Sequence, residues 1–242
     1  MIEILLKDRT TDKNILWANA ERGAEEISVD DVYLIKPRHE KLRAQQKQRT
    51  RDRAEIFTPP HVCEMQNDLL IVEEKSWTKF IDAKFLEITC GEAPYLVNRY
   101  NAVTGTPIEL ENRVGILDRK LRLIGKEVSA LNDWINFSRC AVKSVYGYEF
   151  QGDNLFLARK NIFETVKDFF AEKFSSKPPE NFLREVAEII SWNFWQMDGL
   201  SKTFSPPFTE EKNLFGGANC LIKDWSTGKI FEFRELLEGG RR

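Results

Sequence analysis

The chain has 242 residues, a formal net charge of −2, and 42% hydrophobic and 31% charged residues. This length allows one large α/β domain or a domain with an extension. No uncharged stretch approaches the roughly 20 apolar residues that cross a membrane. The first residues lack the basic region and cleavage site of a signal peptide, so we expect a cytoplasmic protein.

Residues suited to metal chemistry are few. The four cysteines have no C-x-x-C spacing, which excludes a zinc knuckle or a thioredoxin motif, and there are only two histidines. Scattered thiols are typical of a reduced compartment. We therefore expect a protein that works without a metal and without a histidine-centred catalytic site.

Residues 1–54 are predicted to form an N-terminal extension. It contains two strand candidates, Ile2–Leu6 and Ile15–Ala18. An exposed helix is predicted from about Glu40 to Ala54, because this stretch is rich in Gln, Lys and Arg and contains no glycine or proline.

The predicted helix is strongly basic. Between Lys36 and Arg53, eight basic residues stand against two acidic ones. One interpretation is a solvated helix face. The other is a surface that contacts the phosphates of nucleic acid, since clustered cations gain affinity by releasing counterions. In the second interpretation, the candidate DNA contacts are Lys47, Arg49, Arg51 and Arg53.

The middle of the chain, residues 55–200, follows an α/β pattern. Strands are predicted at Lys84–Ile88, Ser144–Phe150 and Asn193–Asp198, with a helical insertion over residues 101–143. Residues 201–242 are predicted to form a loop and a C-terminal β-hairpin. A turn is predicted at Thr89–Pro94, followed by a helix to about Tyr100. Further helices are predicted at Val62–Ile71, Leu110–Ile124, Val128–Val142, Asp153–Phe174 and Glu180–Trp192.

Each of the three predicted strands ends close to an acidic residue, namely Glu87, Glu149 and Asp198. Ligands of open parallel sheets bind beyond the carboxyl ends of the strands. After the first strand, Gly91 lets the backbone approach a ligand closely. Glu149 is suited to a ribose diol and Phe150 to an adenine face, while Asp198 can accept a hydrogen bond from an adenine amino group. Together these strand ends predict a site for an adenosine-containing ligand.

Four segments carry a resemblance to a known family: Phe57–Pro59, Phe85–Leu96, Val145–Phe150 and Asn193–Leu200. They resemble the S-adenosylmethionine-binding half of adenine-N6 DNA methyltransferases, most closely restriction–modification methylase subunits, and the resemblance covers most of the chain. It implies a partial Rossmann-like methyltransferase sheet, S-adenosylmethionine as cofactor and DNA as partner. The chain departs from the family pattern at Ala93, where a second glycine is usual, and at Ile88, where a proline is usual.

The resemblance also implies roles for individual residues. Phe57 and Thr58 would border the methionine end of the cofactor, and Glu87 with the Cys90–Gly91 turn would hold its amino and carboxylate groups. Glu149, Phe150 and Asp198 would meet the ribose hydroxyls, the adenine face and the adenine amine. The full set of candidate cofactor-binding residues is Phe57, Thr58, Glu87, Thr89, Cys90, Gly91, Glu149, Phe150, Asp198 and Leu200.

The catalytic motif of that family is a Pro-Pro tetrapeptide ending in an aromatic residue, which stacks on the flipped target base. The one match is Ser205-Pro206-Pro207-Phe208, only six residues after Asp198. It is either the catalytic loop or a surface turn. The resemblance therefore implies a methyltransferase, the cofactor-binding subunit of a split one whose second chain supplies the catalytic half, or a non-catalytic protein that binds DNA or a methylase. A missing fourth strand would leave one edge of the Lys84–Ile88 strand open, unless the hairpin or another chain covers it.

Overall fold

In a computed structural model, which describes residues 1–19, 21–53, 55–56, 58–71, 76–204 and 218–239, the chain has a mixed α/β fold. Its centre is a short parallel sheet of three strands, β1 (Phe85–Glu87), β2 (Val145–Glu149) and β3 (Phe194–Gln196), in that spatial order. Each strand pairs with its neighbour in parallel, so all three carboxyl ends lie at one end of the sheet.

Helices account for about half of the remaining described chain. They are α1 (Ile2–Leu6), α2 (Arg43–Arg53), α3 (Pro60–Leu70), α4 (Trp77–Asp82), α5 (Ile116–Glu127), α6 (Leu131–Lys143), α7 (Gly152–Phe174), α8 (Glu180–Asn193) and α9 (Phe233–Gly239). Two antiparallel pairs follow the sheet, β4 (Thr203–Phe204) with β5 (Ala218–Asn219), and β6 (Leu221–Lys223) with β7 (Ile230–Glu232).

The core is built around α7, whose side chains are buried on nearly all faces between the sheet and α5 and α8. Trp134 of α6 is fully buried, and its ring meets Phe170 and Phe182 edge-on, with centroids 5.3 and 6.2 Å away. Complete burial of such a side chain stabilises the fold by about 1.5–3 kcal/mol. The core therefore fixes α7, which begins directly after β2.

Arg159 of α7 is buried without a carboxylate partner within hydrogen-bond reach among the described residues. Its guanidinium instead donates to backbone carbonyls of Leu5, Lys7 and Phe194. Burial lowers its pKa to about 10. Because these carbonyls belong to α1, the segment after it and the start of β3, one side chain joins the N-terminus to the sheet.

The strand predicted at Ile2–Leu6 is wrong, because these residues form α1. Leu5 and Leu6 are both buried, which alternation along a strand would not allow. The strand predicted at Ile15–Ala18 is wrong too, since it forms only an isolated bridge from Leu16 to Glu26. The side-chain amide of Gln196 bonds both the N–H and the carbonyl of Leu16, at 2.8 Å each, and so takes the place of a neighbouring strand.

The turn predicted at Thr89–Pro94 is present, and Thr89, Gly91 and Ala93 in it have left-handed backbones with φ of 47°, 54° and 62°. The helix predicted after this turn, to about Tyr100, is wrong, because these residues form further turns and no helix. The insertion helices are confirmed as α5 and α6, although α5 begins later than predicted. The C-terminal hairpin is confirmed as β6–β7, and α9 was not predicted.

One edge of the sheet is open in the part of the chain that the structure describes. No described strand pairs with the outer edge of β1, and Leu86 and Ile88 there are 45% and 63% exposed. The β6–β7 hairpin lies at the opposite side, where Trp225 donates to Asn193 at 2.7 Å and the Cys220 thiol contacts the carbonyl of Gln196. The hairpin therefore does not cover β1.

Candidate functional site

A cavity of about 310 Å³ opens at the carboxyl ends of β1 and β2. It lies where the turn after β1 meets the start of α7, as expected for a ligand site of a parallel sheet. Seven of the ten predicted cofactor-binding residues line it: Thr58, Glu87, Thr89, Cys90, Gly91, Glu149 and Phe150. Strand ends that are far apart in the sequence are thus brought together in one place.

Glu149 ends β2, and its carboxylate joins the two sides of the cavity. Oε2 accepts from the N–H of Gly91 at 2.9 Å, and Oε1 accepts from the N–H groups of Phe150 and Gln151 at 2.8 and 3.0 Å. Burial raises the pKa of Glu149, although these three hydrogen bonds act in the opposite direction. In these bonds Oε1 uses both of its acceptor sites and Oε2 uses one of its two, so one site on Oε2 is left for a hydroxyl donor.

Glu87, at the end of β1, has a more weakly satisfied carboxyl group. Oε1 accepts from the N–H of Tyr95 at 3.3 Å, whereas Oε2 is enclosed and has no hydrogen-bond partner among the described residues. Burial raises the pKa of Glu87 to about 8, and the nearby charge of Glu149 adds to this. The cavity therefore contains a carboxyl group that is largely protonated at neutral pH and whose Oε2 has no hydrogen-bond partner among the described residues.

Among the lining residues that sequence reasoning missed, Glu55, Gln151 and Asn154 form one hydrogen-bonded group. Oε2 of Glu55 accepts from the side-chain amides of Gln151 at 3.2 Å and Asn154 at 3.1 Å. Oε1 of Glu55 and Oε1 of Gln151 are enclosed and unpartnered within the described chain. Glu55 stands two residues before Phe57 with no periodic signal around it, so only the fold reveals its position.

The predicted basic helix is confirmed as α2, and the structure sorts its cations into two groups. Arg49 is directed inward, where Nε bonds Glu55 at 2.6 Å and the guanidinium lies 3.0 Å from Asp153. Lys47 and Arg51 are exposed, together with Arg43, and their spacing of four residues places all three on one helix face. The side chain of Arg53 lies outside the described part.

The remaining predicted site residues are not brought into the cavity. Oδ1 of Asp198 accepts from the N–H of Leu200 at 2.8 Å within its own turn, and Leu200 is 95% exposed. A methyl group built on Gly199 would lie 3.6 Å from Cγ2 of Thr89, so this turn borders the cavity. Phe57 and the tetrapeptide Ser205-Pro206-Pro207-Phe208 lie outside the described residues.

Comparison of the chain with protein-family models, with curated proteins and with solved structures gives no match. Among the described residues, no helix has both the length and the apolar character to cross a membrane. Within the same ranges, no three His, Cys, Asp or Glu side chains are placed to hold a metal ion. Inferences about function therefore rest on the cavity and its chemistry.

Proposed function

We propose that the chain binds S-adenosylmethionine in the cavity at the carboxyl ends of β1 and β2. The observation that carries this proposal is that the cavity wall is acidic and contains no cation. Four glutamates, Glu55, Glu87, Glu92 and Glu149, line it, and no lysine or arginine of the described chain does. Glu55 is paired with Arg49 and Glu87 is mostly protonated at neutral pH, so the wall offers acceptors and a partial negative charge. Such a wall favours a ligand that carries positive charge and hydroxyl donors, and it disfavours the phosphates of ATP or of a dinucleotide.

The functional groups of S-adenosylmethionine match the chemistry of this wall. Its ammonium and sulfonium groups are cationic, and its ribose supplies two hydroxyl donors. The enclosed acceptors of Glu55 and Gln151 lack donors in the described chain, and an unsatisfied buried acceptor costs about 1–3 kcal/mol. A ligand that brings donors to them relieves that cost. The volume of about 310 Å³ is at the lower end for small-molecule sites.

The proposed reaction is methyl transfer to the N6 amine of adenine in DNA, within a partial Rossmann-like methyltransferase sheet of a restriction–modification system. The strand-end motifs support it, together with the exposed row of Arg43, Lys47 and Arg51 on α2 for phosphate contacts. The reaction needs an aligned sulfonium and amine in a dry site. In this proposal the acidic cavity binds the cofactor and so positions its sulfonium. The target adenine is held by Ser205-Pro206-Pro207-Phe208 or by a second chain.

The open edge of β1 favours the version with a second chain. A parallel strand that exposes Leu86 and unpaired backbone groups is a ready site for pairing with another strand. We therefore propose the cofactor-binding subunit of a split methyltransferase as the first alternative to a chain that acts alone. A non-catalytic DNA- or methylase-binding protein with the same cavity is the second.

Calorimetric titration with S-adenosylmethionine tests the cofactor proposal. We expect a single site that is weakened at least tenfold by Glu149→Gln and is unchanged by Glu172→Gln, an exposed glutamate of α7. ATP should not compete. Absence of heat at millimolar ligand, or equal competition by ATP, would overturn the assignment.

Transfer of a labelled methyl group to DNA then separates the three versions of the proposal. Activity of the chain alone that is lost in Phe208→Ala supports the single-chain enzyme. Activity only after addition of the product of the neighbouring gene supports the split enzyme. Binding of the cofactor with no transfer in either case supports the non-catalytic protein.

A further inference from the structure

A second cavity, of about 610 Å³, lies at the other end of the sheet, between α1, α8, the end of α6 and the β6–β7 turn. Lys143, which lines it, is the last residue of α6 and immediately precedes the first residues of β2. This basic groove is therefore at the amino ends of the strands, away from the acidic cavity. Three glutamates line the groove, together with five cations: Lys7, Arg9, Arg139, Lys143 and Arg184.

Three of these cations are neutralised within the fold. Arg9 pairs with Glu188 and Arg139 pairs with Glu185, each at 2.5 Å, and Lys7 pairs with Asp12 at 3.0 Å. Lys143 and Arg184 have no ion pair within the described residues. The groove therefore keeps positive charge that the protein itself does not compensate, although the chain as a whole is acidic.

Trp225 also lines the groove. Trp192 and Lys223 lie beside it, with the Trp192 ring 5.4 Å from the guanidinium of Arg9. Lys223 lies 5.7 Å from the ring of Trp192 and 4.6 Å from that of Trp225, and Lys143 lies 5.3 Å from the ring of Trp225. The indole N–H of Trp225 donates to Asn193 at 2.7 Å, and that of Trp192 donates to Glu188 at 3.2 Å. Both rings are half-buried, so each is held in one orientation and still presents part of its surface to solvent.

We infer that the basic groove binds single-stranded nucleic acid, with phosphates against Lys143, Arg184 and Lys223 and bases against Trp192 and Trp225. Cations that follow a backbone and fixed aromatic rings that stack on bases are the two components of single-strand recognition. Duplex DNA satisfies only the first, because its bases are stacked on one another and their faces are not available. This surface is independent of the acidic cavity and of the basic face of α2.

Fluorescence anisotropy with a labelled oligonucleotide of about 20 nucleotides, as a single strand and as a duplex, tests this inference. We expect tighter binding of the single strand, and a loss of at least about tenfold in the double variant Lys143→Ala/Arg184→Ala, with a shallower salt dependence. The matched control is Lys126→Ala/Lys177→Ala, which removes two exposed cations elsewhere and should change the affinity less than about twofold.

A third variant, Trp225→Ala, should weaken binding of the single strand by about tenfold and that of the duplex far less. Circular dichroism establishes that each variant is folded. Three results would overturn the inference: no binding of either nucleic acid, an equal loss in the control, or tighter binding of an acidic polypeptide than of the single strand. None of these results bears on the titration with S-adenosylmethionine, so failure of the nucleic-acid inference is distinguishable from failure of the cofactor proposal.

Discussion

The raised pKa of Glu87 makes binding of S-adenosylmethionine dependent on pH in a calculable way. With a pKa of about 8, the carboxyl group is mostly protonated at neutral pH. The proposed contact with the ligand ammonium requires the ionised form. From the titration curve, about 1 molecule in 11 is ionised at pH 7 and about 1 in 100 at pH 6.

The apparent affinity falls in proportion to that ionised fraction. Binding should therefore tighten about ninefold between pH 6 and pH 7 and should release close to one proton per ligand in that window. The sign follows from the direction of the shift, because a raised acidic pKa makes the free protein hold a proton that the bound state gives up.

Titration calorimetry at both pH values, in two buffers with different ionisation enthalpies, measures the affinity and the released protons together. Glu87→Gln is the matched variant, because it keeps the size of the side chain and cannot ionise. We expect it to bind weakly at both pH values, without the ninefold change. An affinity of the unmodified chain that is constant from pH 6 to pH 7, or a pH dependence that persists in Glu87→Gln, would refute the reasoning.

Three further predictions concern stability, each measured by urea unfolding. Arg159→Met should lower the free energy of unfolding by about 3–5 kcal/mol, because several buried carbonyls lose a charged donor. Arg49→Met should lower it by about 2–4 kcal/mol, since it leaves the carboxylates of Glu55 and Asp153 buried with one cation fewer; an unchanged value would show that the two acids find other partners. Ser175→Gly should raise it by about 0.5–1 kcal/mol, because Ser175 ends α7 with φ of 50° and is exposed; a decrease would contradict this account of the cap.

The sequence predicted the elements whose signals are local and strong. Helices α6, α7 and α8 agree with their predicted bounds to within a few residues, because each has a long apolar face. The three strands were also placed correctly, though each is shorter than predicted. Their ends carry the acids that line the cavity, so the positions of Glu87 and Glu149 followed from strand prediction alone.

What the sequence could not predict depends on contacts between distant residues. The segment around Leu16 is bonded by the side chain of Gln196 rather than by a strand. The turns before Tyr100 are held by Asp118, which accepts from the N–H of Asn98 at 2.7 Å. Likewise Arg49 belongs to a basic run yet is drawn inward by Glu55. In the first two cases a buried polar side chain outweighs the local preference of the backbone, and in the third a buried carboxylate sets the direction of one side chain of a correctly predicted helix.

The bonds between the N-terminal segment and β3 also constrain how the chain folds. Leu16 and Gln196 are 180 residues apart, and Leu5 is 154 residues from Arg159. During synthesis, the segment from α1 to Leu16 therefore lacks its bonds to α7 and β3 until most of the chain has been made, although its contacts with residues 23–27 can form earlier. Contacts of such separation are formed slowly, because loop closure must precede the gain from the contact. We expect refolding from urea to include a slow phase that Arg159→Lys slows further. We also expect the nascent chain to depend on chaperones until residues 159–196 have been made.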